Sequence, residues 1–301
     1  MRALLRRALA AALAVSGCGR ERDHRLRIGV ALPADTGAVV EDLRRGMAPA
    51  ADSLQLELIV MTAGGDAARQ AAQVDSLVVR GVAAVLVDPI EGGEDVIGAA
   101  IERANRARVP VLTLVTPATR GTVVAHVASD DRMGGELAGW YVAQRLRGGG
   151  NVAILDQPDL PTVRDRVAGV RLVLGRSPNI RVVASPAVEP ATREAARRKT
   201  ATLLAADQPV HAFVATSDDL ALGALAAVQT AGKKDVIVVG FGATPDARAA
   251  IVNGTALVAD VAPDHVTIGR YGLLVAASHL RGNRVMPLVP VRVRLVDRDS
   301  L

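Results

Sequence analysis

Residues 212–247 read AFVATSDDLALGALAAVQTAGKKDVIVVGFGATPDA. The run 212–215 is short and apolar, which suits a strand buried on both faces. Thr216, Ser217 and Asp218 follow, and a short polar side chain there can cap a helix. Residues 219–231 form a helical stretch rich in small residues, and Gly232 stands where a helix-ending glycine belongs. A second apolar run, 236–239, leads into Gly240-Phe241-Gly242. Strand, helix and strand make a βαβ unit, so the strands are parallel and the crossover right-handed. Ligands in such sheets sit at the carboxyl ends of strands. Ser217 and Gly242 occupy two such ends and are candidate ligand contacts.

Units of the same kind repeat on both sides of this stretch. Upstream, strands are expected at 26–32, 57–61, 82–87, 111–114 and 123–128, with helices at 39–54, 66–80 and 95–107. Asp88 and Thr116 stand at strand ends in that series. After Asp130 and Asp131 comes a helix at 133–146, closed by Gly148-Gly149-Gly150. A second series follows: strand 152–155, helix 163–174, strand 181–185, helix 193–205, then the opening unit and a strand at 256–261. Residues 263–281 are largely helical. Residues 291–296 alternate apolar and basic residues and read as one strand exposed on one face. The chain is α/β throughout, with two doubly wound parallel-sheet lobes and no low-complexity linker between them.

Composition narrows the function. The chain has 301 residues, half of them apolar, and only 2% aromatic. Its cores must be built from Ala, Val, Leu and Ile. The net charge of +5 is spread along helix faces, and no basic run carries interleaved aromatics, so nucleic acid is not an expected partner. Neither a nucleophile motif, a phosphate loop nor a zinc motif occurs, and the histidines are scattered, so no enzyme, metal or cofactor is expected. His126 lies inside an apolar strand and reads as a satisfied core histidine.

Cys18 is the only cysteine, which excludes an internal disulfide. Residues 1–18 carry Arg2, Arg6 and Arg7 ahead of a short apolar stretch, 8–15, too short to span a membrane. The tetrad Val15-Ser16-Gly17-Cys18 resembles the lipobox of bacterial lipoproteins, which implies lipidation of Cys18. A plain secretory signal is the alternative. Residues 19–25 form a polar tether.

Three segments carry a wider resemblance: VVAHVASDDRMGGELAGWYV (123–142), SDDLALGALAAVQTAGKKDVIVVGF (217–241) and RGVAAVLVDP (80–89). With them the chain resembles a type I periplasmic substrate-binding protein of the ribose-binding group, from residue 26 to about 296. The resemblance implies three hinge crossings, near Ser129, Pro263 and Arg292. One lobe would hold 26–129 plus 264–292, the other 130–263 plus 293–301. It implies a monomer that closes on a small solute and hands it to an ABC transporter permease from a lipid-anchored position in the periplasm or cell envelope. A ligand sensor or scaffold of the same fold is the alternative. Sugar-responsive repressors share the fold but carry a DNA-binding segment where this chain has its leader.

The expected pocket departs from the sugar-binding pattern. The aromatic plates fall at Val39 and Val40, an Asp-Arg pair at Val115 and Thr116, and an asparagine at Gly37. A second asparagine falls at Ser217, an aspartate at Gly242 and a glutamine at Pro263. An aromatic expected at 189–192 is missing. Arg166 alone keeps its charge and is the expected polar anchor, free to fork onto a carboxylate or two hydroxyls. A pairing with Asp165 or Glu189 is the alternative. Asp88, Thr116 and Ser217 would complete the polar set, Gly242 and Pro263 are further candidate contacts, and Val39 and Val40 would form an apolar wall.

Overall fold

The computed structural model describes residues 25–301. Cys18 and the leader lie outside the described residues. The chain begins β1 (Leu26–Leu32), α1 (Ala38–Leu54), β2 (Leu56–Thr62), α2 (Ala67–Val79), β3 (Ala84–Val87), α3 (Glu94–Arg106), β4 (Val111–Leu114) and β5 (Ala125–Ser129). It continues α4 (Asp131–Arg145), β6 (Gly149–Leu155), α5 (Pro161–Leu174), β7 (Asn179–Ala184), α6 (Arg193–Leu204), β8 (Ala212–Ala215), α7 (Asp218–Thr230), β9 (Ile237–Phe241), α8 (Pro245–Val252) and β10 (Leu257–Ala262). It closes with α9 (His265–Leu280), β11 (Leu288–Val291) and β12 (Arg294–Asp297).

Two six-stranded sheets result. The first runs β2-β1-β3-β4-β5-β11 and its pairings are parallel. The second runs β7-β6-β8-β9-β10-β12 and is parallel except at its edge, where β12 is antiparallel to β10. The central strands read as continuous apolar runs because helices cover both faces. In the first lobe, α1 and α9 bury Leu43, Met47, Ile268 and Leu273 on one face. On the other face α2 and α3 bury Val74, Leu77, Ile97 and Ile101. The second lobe repeats the plan, with α4 and α5 on one face and α6 and α7 on the other. Phe213 is the largest fully buried side chain, so aliphatics do fill the cores.

Three differences from the sequence reading stand out. The alternating run 291–296 is not one strand. Val291 ends β11 in the first sheet, the chain crosses at Arg292 and Val293, and Arg294 starts β12 in the second. Gly149 and Gly150 do not close α4; they open β6, paired with Asn179 and Ile180. Ser217 occupies the cap position of α7 but makes no side-chain capping bond. The chain passes between the sheets after Ser129, after Ala262 and after Val291.

Candidate functional site

An interlobe cavity of about 120 Å³ lies where the crossings meet the carboxyl ends of the strands. The first lobe contributes Glu91, Val115, Thr116, Pro117 and Thr119, and the second contributes Leu160, Pro161, Thr162 and Arg166. Ser129, Asp131, Pro263 and His265 line it from the crossings. A larger open depression bounded by Leu26, Leu54, Leu56 and Arg281 sits at the amino ends of β1 and β2 and involves one lobe only. The interlobe cavity is therefore the candidate site.

The cavity thus brings Arg166, Thr116 and Pro263 together. Arg166 is less free than the sequence suggests. It sits on α5, where its Nε donates to Asp131 Oδ1 at 2.8 Å and a terminal nitrogen donates to the Thr216 carbonyl at 2.8 Å. Its guanidinium carbon lies 3.8 Å from the centroid of the Phe241 ring, a cation–π stack. Neither Asp165 nor Glu189 is the partner; Asp131, at the first turn of α4, is. Burial pushes the Asp131 carboxyl up, and the Arg166 charge and hydrogen bond pull against it.

Asp88 lies behind the cavity wall, 3% exposed, and accepts from the Thr116 amide at 3.3 Å. Burial pushes its carboxyl up to about 7, against the Thr116 hydrogen bonds. The adjoining Val115 has φ 54°. That conformation is strained for a β-branched residue and persists only where the surroundings fix it. Here the Val115 amide donates to the Val127 carbonyl at 3.0 Å, and Asp88 holds the next amide. The strain sets the cavity wall.

The other expected residues lie elsewhere. Val40 is 3% exposed within the α1–α9 core, and Val39 packs against the same core, so they do not form the expected wall. The physical reason is helical spacing: Val40, Leu43, Met47 and Ala50 share one face of α1, and that face is turned to the sheet. Ser217 and Gly242 line a second, open depression with Arg193, Asp219 and Thr244. Gly242 is needed there. Its φ is 142°, and a Cβ would stand 2.8 Å from Asp218 Oδ2. Asp218 Oδ2 accepts from the Thr244 amide at 2.6 Å, and Asp260 Oδ1 accepts from the Ala243 amide at 3.1 Å. Burial, and then the neighbouring Asp218, push the Asp260 carboxyl well above the usual carboxylate range.

Sequence reasoning missed Glu91, Thr119, Thr162, Asp131 and His265 as cavity residues. The first three lie on loops or helix starts after strands, and that position was the available signal. His265 opens α9 at the second crossing, and burial pushes its imidazole down, favouring the neutral ring. His126 is half-buried and its Nδ1 lies 2.9 Å from the Thr113 hydroxyl, a satisfied histidine.

A periplasmic binding protein domain is matched over residues 28–284. The chain belongs to the periplasmic binding protein family. The family comprises solute-binding proteins rather than enzymes and is extracytoplasmic. The chain is 37% identical over 260 residues to the ribose import binding protein of Salmonella typhimurium, covering 85% of this chain and 86% of that one. It is 29% identical over 260 residues to the xylitol-binding protein of Mycolicibacterium smegmatis, covering 86% and 73%. Among solved structures it is similar to an ABC transporter solute binding protein of Bacillus halodurans with bound myo-inositol: TM-score 0.74, 26% identity, 91% and 95% covered. An arabinose binding protein of Geobacillus stearothermophilus shares the fold at TM-score 0.84 and 18% identity, with 91% and 97% covered. Among the described residues, no helix is long and apolar enough to cross a membrane.

Proposed function

We propose that this protein is the solute-binding component of an ABC importer and holds a small sugar-like or polyol ligand between its lobes. The observation that carries the reading is the cavity itself, lined from both lobes and one crossing by Thr116, Thr119, Ser129 and Thr162. Hydroxyls donate and accept, so they suit a hydroxylated ligand. The relatives named for ribose import and xylitol binding support the same class. Apolar contacts come from Val115, Leu160 and three prolines in place of aromatic plates. Such a wall suits a flexible polyol as well as a ring, because no flat stacking surface is offered.

Ligand capture would close the lobes about their crossings. A panel of pentoses, hexoses, inositols and pentitols tests this by thermal shift and small-angle scattering. The true ligand at a hundred times its Kd should stabilise by roughly 2.7 kcal/mol and reduce the radius of gyration. Flat melting curves across the panel reject the reading.

Cys18 is the proposed lipid anchor and a permease the proposed macromolecular partner. Stable anchoring takes more than one acyl chain. A Cys18→Ala variant should lose palmitate labelling and leave the membrane fraction; unchanged retention would remove the anchor from the proposal.

A further inference from the structure

The cavity has a sign. Among the described residues, Arg166 is the only lysine or arginine lining it, and its charge is already met by Asp131, with further donation to the Thr216 carbonyl and its face on Phe241. His265 is held towards its neutral form by burial and by Arg166, against the pull of Asp42 and Asp264. Glu91 remains. This exposed residue lines the cavity and enters no ion pair among the described residues. The tier behind is acidic as well. Asp88 lies behind Thr116 and within electrostatic reach of Glu91, Asp130 and Asp165 act on Asp131, and Asp42 and Asp264 act on His265. Asp42 is met by Arg45 at 2.6 Å, so the acidic groups behind the cavity are those after β3, at the starts of α4 and α9 and on α5.

We propose that this cavity selects a small hydroxylated ligand bearing an ammonium group, an amino polyol or amino sugar, over its neutral and acidic counterparts, with Glu91 as the charge-reading residue. The inference rests on the polyol reading above and narrows it. The hydroxyls of Thr116, Thr119, Thr162 and Ser129 read ligand hydroxyls and are indifferent to charge. Charge discrimination then falls to Glu91. A ligand carboxylate would be desolvated beside like charge, whereas an ammonium meets an unpaired partner. Arg166 can offer an acid only the donors left after Asp131 and the Thr216 carbonyl, and its charge is already balanced by the buried Asp131 carboxylate.

Ribitol, 1-amino-1-deoxyribitol and ribonate carry one frame with a hydroxyl, an ammonium and a carboxylate. Calorimetry on the wild-type protein at neutral pH should give the amine about tenfold tighter binding than ribitol, and ribonate about tenfold weaker. In Glu91→Gln the amine-over-ribitol ratio should fall to near parity. The amine preference should also shrink with added salt, as a charge effect must. If ribitol or ribonate binds at least as tightly as the amine, the charge preference is overturned while the polyol reading stands. If Glu91→Gln keeps the full preference, Glu91 is not the reader. If none of the three binds while another member of the panel does, the charge preference falls and the polyol reading stands.

Discussion

Asp88 shows how one residue links the site to stability. Its carboxyl stands at about 7 in the folded protein against an ordinary 3.8, raised by burial. Between those values the folded state holds a proton that the unfolded state has released. Stability therefore falls as pH rises across that window, at roughly 1.4 kcal/mol per pH unit, and levels off above it. Asp88→Asn keeps an oxygen for the Thr116 amide and removes the titration, so its urea midpoint should lack this component of the fall. Parallel profiles for the two proteins would show that Asp88 does not titrate there. Legibility at this scale was mixed. Thr116, Pro263 and Arg166 could be placed at the cavity because strand ends and family positions mark them, whereas Asp88 lies behind its wall. The partner of Arg166 could not, since Asp131 lies 35 residues away and only packing of α4 on α5 brings it close. Val40 was misplaced because a family position was weighed above the helical spacing that turns it to the core.

At the scale of elements, helices meet through glycine. A Cβ on Gly135 of α4 would stand 1.9 Å from the Arg166 carbonyl oxygen on α5, and one on Gly169 would stand 2.2 Å from the Arg132 carbonyl. The first lobe does the same with Gly46 and Gly269 between α1 and α9. The atom met at Gly135 is backbone, so no rotamer change relieves it. Gly135→Ala should destabilise by about 1–3 kcal/mol through forced separation of the helices. It should also weaken ligand binding, because the displaced carbonyl belongs to Arg166 itself. Thermal melts and calorimetry on one variant check both effects; a wild-type melting temperature would show that the crossing is looser than described. The order of strands and helices was legible in the sequence, since buried strands and amphipathic helices differ in period. The break at 291–296 was not, because alternation marks an exposed face and says nothing about which sheet a residue joins.

At the scale of the whole molecule, both sheets obey one rule. Each begins with its second strand at one edge, turns at the junction of its first and third, and is finished by a strand from the far end of the chain. The switch points face the crossings, which is why a cavity belongs there. The two-lobe plan was legible because the βα series runs twice. The cavity's charge was not, because it depends on Arg166 being spent on Asp131.

The late strands also set a timetable. The first lobe lacks α9 and β11 until residue 291 has been made, and the second lacks β12 until residue 297. Until then Leu43 and Met47 have no α9 to cover them, and β5 and β10 are open edges. At ribosomal speeds of about 5–20 residues per second, the earliest strand waits on the order of tens of seconds for its lobe to be completed. Neither half can finish folding much before the other. A nascent chain so built has both lobes incomplete together until its final segment emerges.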